Sequence, residues 1–181
     1  TLTSLEPLVV ALGRPRALAR VVEARHRLGE RLGAWSNARF EHEQLEVERK
    51  LRAGDLQGAF QGAKVLLERA EVAGDAYPDA DYDRAVAHVL LGRVLKEGGQ
   101  AEAALLLQQE ARRRFEAVEI RRPGCRAARM AAVCITERAD ALAAAGRLDE
   151  AVAAYDEAIK LDDAAGRRRD VAAGKFQLGT V

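Results

Sequence analysis

Apolar residues recur three and four positions apart along most of the chain, in runs of 10 to 20 residues separated by glycine, proline and short polar breaks. That spacing lays one apolar stripe along an α-helix, because 3.6 residues complete a turn. It predicts helices over 3–12 and 15–32, 37–53 and 56–73, 80–97 and 101–118, 126–145 and 148–161, and a last one from 168 to 181. No stretch alternates apolar and polar with a period of two, so strands are not expected. Thr3 with Glu6 three residues on reads as a capping box at the start of the first helix. The connections 74–78 and 121–124 contain Gly74, Pro78, Pro123 and Gly124, the breakers expected between successive helix pairs.

A pattern of small residues and glycines runs through these helices. Its clearest copy places Leu91, Gly92, Leu95, Gly99 and Ala104 in order. A second has Ala139, Leu142, Gly146 and Ala151, followed at helical spacing by Tyr155 and Ala158, and a third keeps Gly54, Ala59 and Leu66. Small residues in both helices of a pair let backbones approach to about 8–10 Å. Gly92, Ala104, Ala139 and Ala151 are therefore expected as helix contact points, with Leu91, Leu95, Leu142 and Tyr155 filling the space between. Gly54, Gly99 and Gly146 fall at helix ends, where a left-handed residue costs least.

These residues resemble the tetratricopeptide repeat (TPR) family. The match is good around Gly99 and Gly146; the copy at Gly54 has Glu46, Val47 and Lys50 where leucine, glycine and an aromatic are usual. The three glycines stand 45 and 47 residues apart, not the ordinary ~34, which is similar to the longer-helix variant of bacterial signalling and regulatory proteins. The resemblance implies an all-α, right-handed superhelical solenoid of antiparallel helix pairs. Residues 1–181 would form one repeat domain of about four pairs and the start of a fifth. Leu178-Gly179 repeats the Leu91-Gly92 pair that opens a unit, which predicts a piece of a longer protein whose repeats continue, with self-association through the Leu178 and Val181 end.

Composition narrows the role. Aromatics make up 4% of residues and there are only 4 prolines, as suits Ala- and Leu-rich helices. A bias toward Arg over Lys and toward Ala fits a GC-rich bacterial genome. A net charge of +1 argues against general attraction to nucleic acid or to anionic membrane. No apolar run reaches the ~20 residues that span a bilayer and no basic leader is present, so a soluble, cytoplasmic protein is expected.

Catalytic chemistry finds little support. Cys125 and Cys134 on one helix would lie roughly 13.5 Å apart, too far for a disulfide. His26, His42 and His88 have no i, i+4 metal spacing. Ser4 and Ser36, the only serines, neighbour no histidine, and no phosphate-binding glycine loop occurs. Asp79, Asp81 and Asp83 alternate like the opening of a calcium loop, but Arg84 and Leu90 stand where glycine and glutamate are needed. These acids read instead as favouring a helix N-terminus. Arg112, Arg113, Arg114, Arg121, Arg122, Arg126 and Arg129 form the main basic concentration, interleaved with Glu110, Glu116 and Glu119 as a solvated face; 167–169 reads the same way. Trp35 is expected to pack between units, and Tyr77 and Tyr82 to cover the end of a helix pair.

In the family the concave surface, lined by the first helix of each pair, usually binds the partner. The resemblance places Gln44, Glu48 and Arg52, then Arg93 and Glu97, then Thr136 and Asp140 on that surface. Its charge is mixed, and it lacks the Lys and Asn set by which some members clamp a C-terminal carboxylate. The expectation is a non-catalytic scaffold within a larger bacterial signalling or regulatory protein, binding a protein, a peptide or another domain of the same chain. A ligand-sensing repeat domain of a transcription regulator or nucleotide-binding switch protein is the alternative. No enzyme activity, cofactor, metal, nucleic acid or membrane is expected.

Overall fold

The computed structural model describes residues 35–124 and 126–180. The expected helices 3–12 and 15–32 lie outside the described residues, as do Cys125 and Val181. Seven α-helices follow in order: α1 Asn37–Arg52, α2 Leu56–Ala73, α3 Ala80–Glu97, α4 Ala101–Arg121, α5 Ala127–Ala144, α6 Leu148–Ala164 and α7 Arg168–Leu178. The described residues contain no strand. Each helix packs on the one before and the one after it, and α1 also touches α3, as α3 touches α5.

The turns show why the chain reverses where it does. Gly54, Gly99, Gly146 and Gly166 all take positive φ, between 68° and 78°. After each, the next residue donates its backbone N–H to the carbonyl five positions earlier: Asp55 to Lys50, Gln100 to Leu95, Arg147 to Leu142 and Arg167 to Asp162, at 2.8–3.0 Å. The same closing bond thus satisfies orphan carbonyls at the ends of α1, α3, α5 and α6, and only a left-handed residue permits it. The next helix begins at once, so antiparallel packing follows from a turn of three residues. At two starts a side chain caps the helix, with Ser36 accepting from the Arg39 N–H and Asp55 from the Gly58 N–H.

The buried positions keep a common register. Counting from Gly54, Gly99 and Gly146, the fifth residue on is Ala59, Ala104 or Ala151, the ninth Ala63, Gln108 or Tyr155, the twelfth Leu66, Ala111 or Ala158, and the sixteenth Ala70, Phe115 or Asp162; all twelve are buried. Seven residues before the glycines stand Val47, Gly92 and Ala139, also buried. Opposite them, eight residues after, stand Gly62, Leu107 and Ala154. A Cβ on Gly62 would come within 2.9 Å of Val47 Cγ2, and one on Gly92 within 2.5 Å of Gln108 Nε2 and 3.4 Å of Leu107 Cβ. Volume is therefore traded across the helix contact, Val47 against Gly62 and Gly92 against Gln108 and Leu107. The residue that weakens the first copy in sequence, Val47, is accommodated by a glycine on the facing helix.

One apolar cluster runs from Phe40 in α1 to Ala158 in α6, and a second joins α3, α4 and α5 through Val89, Phe115, Val118 and Cys134. Trp35 packs against the first with its ring edge-on to Phe40 at 6.4 Å. Tyr82 meets Phe115 edge-on at 5.2 Å, and the Arg126 guanidinium lies over the Tyr82 ring, 5.2 Å from its centre. Helix α4 runs three residues beyond Val118, the end expected from the apolar stripe, because Glu119, Ile120 and Arg121 continue the backbone after the buried face ends. It stops before Pro123-Gly124, where the Glu119 carboxylate accepts the N–H groups of Gly124 and Ala128. Helix α6 likewise extends to Ala164, since Asp162 is buried in its last turn and paired with Arg167 at 2.7 Å.

Candidate functional site

The first helices of the successive pairs, α1, α3 and α5, carry the residues expected to face a partner. On α1, the Gln44 amide donates to Glu48 at 2.9 Å, and Arg52 is exposed at the helix end. On α3, Arg93 reaches across to Glu137 of α5 at 2.5 Å. Lys96, one turn further along, lies 3.3 Å from Asp140, 3.9 Å from Glu137 and 3.6 Å from Glu97. Asp140 also accepts from the Tyr155 hydroxyl of α6 at 2.5 Å. Burial and this anionic neighbour both push the Tyr155 hydroxyl up, so it remains a donor.

Arg93, Glu97 and Asp140 are thus brought into one polar network, while Gln44, Glu48 and Arg52 sit on α1 without an ion pair to it. Thr136 is half-buried on α5 beside Glu137. Lys96 and Glu137 belong to the network and are absent from the sequence reading, and Tyr155, expected there only as a packing residue, adds its hydroxyl to it. Lys96 follows Arg93 by three residues and Glu137 precedes Asp140 by three, so helical spacing alone shows that they share a face. The charges are mutually neutralised: two cations of α3 meet two anions of α5.

The acidic trio separates into different tasks. Asp81 and Asp83 lie in the first turn of α3, in keeping with the expected effect on the helix N-terminus. Asp79 and Asp81 are held by Arg122 at 2.7 and 2.5 Å, and Arg121 also pairs with Asp81. Asp83 is buried, and its Oδ2 accepts from both the Tyr77 hydroxyl at 2.8 Å and the Asn37 amide at 3.0 Å. Burial pushes its carboxyl up to about 6 despite these two donors. The basic concentration is largely paired: Arg112 with Glu116 and Glu157, Arg113 and Arg114 with Glu110, Arg114 also with Glu71, and Arg129 with Asp170.

Between α4 and α5 lies a cleft of about 400 Å³ lined by Gln108, Arg112, Arg113 and Glu116 of α4 and by Cys134, Ile135 and Arg138 of α5. Cys134 is buried, and burial pushes its thiol up to about 12, so it stays neutral and unreactive. Among the described residues, no group of three or more His, Cys, Asp or Glu side chains is arranged to hold a metal ion, and no helix is long and apolar enough to cross a membrane. No family model and no curated protein matches the chain.

Proposed function

We propose that the chain is a TPR-like solenoid that serves as a non-catalytic interaction scaffold, with a segment of another protein or domain bound along α1, α3 and α5. The observation that carries this reading is the row of first helices: α3 touches both α1 and α5, and the Arg93–Glu137 and Lys96–Asp140 pairs link equivalent turns of successive units. A repeat needs such neighbour contacts because one unit cannot bury its own apolar face. The polar row offers a partner both signs of charge within a few ångströms, suited to an extended or helical segment of mixed charge. Its role within a larger bacterial signalling or regulatory protein, in the cytoplasm, belongs to the same proposal.

Selection from a displayed random-peptide library, followed by binding to the Arg93→Glu/Lys96→Glu double variant, tests the reading. Peptides selected on the wild-type chain should lose at least about tenfold in affinity, as expected when a charge pair at the centre of an interface is reversed. Unchanged affinity in a variant of unchanged helicity would move the partner site away from this row.

A further inference from the structure

The polar contacts between successive first helices all have the same sense. Asn37 of α1 donates to Asp83 of α3, Arg93 and Lys96 of α3 meet Glu137 and Asp140 of α5, and Arg129 of α5 holds Asp170 of α7 at 2.9 Å. The earlier helix supplies the donor and the later one the carboxylate. The Arg93–Glu137 and Lys96–Asp140 pairs both span 44 residues, so α3 and α5 run parallel. Helix α7 repeats the donor half of this arrangement. Gly179 stands where Gly92 and Ala139 do in the earlier units, and in that register Gly174 takes the place of Cys134. Both are buried against the preceding second helix, Gly174 so closely that a Cβ would come within 2.8 Å of Ile159 Cγ1. Arg169, Ala172 and Phe176 then correspond to Arg129, Ala132 and Thr136. Ala132 is buried and Thr136 half-buried, whereas Ala172 is exposed and Phe176 is 75% exposed. Arg169, Ala172, Ala173 and Phe176 follow helical spacing along one exposed face of α7. Arg168 and Lys175 border that face, and among the described residues none of these three cations has a carboxylate within ion-pair distance.

We propose that this face of α7 docks an amphipathic helix of another protein, parallel to α7, with a carboxylate in its first turns on Arg169 and a small residue over Phe176. Phe176 is the anchor, since an aromatic side chain buries about 150–250 Å². Ala172 and Ala173 let a helix backbone approach to about 8–10 Å. The charge selects the partner: Arg129, in the equivalent position, already holds a carboxylate in the first turn of the next helix, where the helix dipole favours an anion. Pairing two copies through α7 would bring only Arg168, Arg169 and Lys175 to the contact, because Asp170 is turned back to Arg129, and like charges oppose it. None of these residues belongs to the row on α1, α3 and α5.

Selection from a displayed library of alanine-rich helices of about 18 residues, five turns long, with one face randomised, tests the proposal. The library is panned on the 181-residue chain and counter-panned on Phe176→Asp. Enriched peptides should carry Asp or Glu in their first two turns. Made synthetically, they should lose at least about tenfold in affinity on Phe176→Asp and on Arg168→Glu/Arg169→Glu. The Arg93→Glu/Lys96→Glu variant should bind them unchanged, which separates this surface from the row on α1, α3 and α5. Amide resonances of Ala172 and Phe176 in the wild-type chain should shift as peptide is added, a readout that stands even where a variant fails to fold. The proposal is overturned if no clone distinguishes the wild type from Phe176→Asp, or if the enriched clones lack carboxylates or ignore the Arg168→Glu/Arg169→Glu change. A dimer in sedimentation that Phe176→Asp dissociates would also overturn it, by making a second copy the occupant.

Discussion

Asp83 illustrates what one side chain does for the assembly. Its carboxyl gathers the start of α1 through Asn37 and the loop before α3 through Tyr77, with Glu41, Asp79 and Arg84 as the charged groups around it. The carboxyl titrates near 6 when folded, above the ordinary 3.8, so the folded state binds its proton more tightly than the unfolded state. The stabilisation that follows is complete below pH 4 and is lost as the pH rises through 6. Urea midpoints of the wild type and Asp83→Asn between pH 4 and 7 should show the wild type losing stability relative to the variant over that interval. A constant difference would contradict the assignment. Alternation of Asp79, Asp81 and Asp83 in sequence places all three near a helix start. It cannot show that Asp83 turns inward, because Asn37 lies 46 residues away.

At the scale of the helix, the contact between Val47 and Gly62 is a test of traded volume. Gly62→Ala alone must push against Val47, and Val47→Ala alone leaves a void, but the two together put alanine at both positions, as Ala139 and Ala154 stand at the corresponding places around Gly146. The double variant should be more stable than the sum of the single changes by about 1 kcal/mol, measured by chemical denaturation in a double-mutant cycle. Helix positions, the left-handed glycines and the small contact residues are all legible in sequence, since each depends on local spacing or on backbone conformation. The compensation at Gly62 is not, because the two residues that share the space lie on different helices, and nothing local to Val47, unusual as it is in the pattern, ties it to Gly62. The polar row was half legible for the same reason. Arg93 and Asp140 follow from register, while their neutralisation by Glu137 and Lys96 depends on how close α3 comes to α5.

For the molecule as a whole, contact is made mainly between neighbours, and α1 and α2 do not pack on α6 or α7. Damage should accordingly stay local. Leu142 is fully buried in α5, and Leu142→Ala should cost about 2–5 kcal/mol where it acts. Hydrogen exchange should show protection falling in α5, α6 and α7 while α1 and α2 keep theirs; a uniform fall across all helices would indicate a single cooperative unit instead.

The ionic contacts between units have a common interval. Arg93 with Glu137, Lys96 with Asp140, Arg129 with Asp170, Arg112 with Glu157 and Arg147 with Glu102 all join residues 41 to 45 apart. Most of these groups are partly open to water, where the Debye length shrinks from about 8 Å under physiological conditions to about 3 Å in molar salt. Rising electrolyte therefore slackens the stitches between units while their oily interiors stay shut, and ionic strength becomes a control on how freely the array can flex.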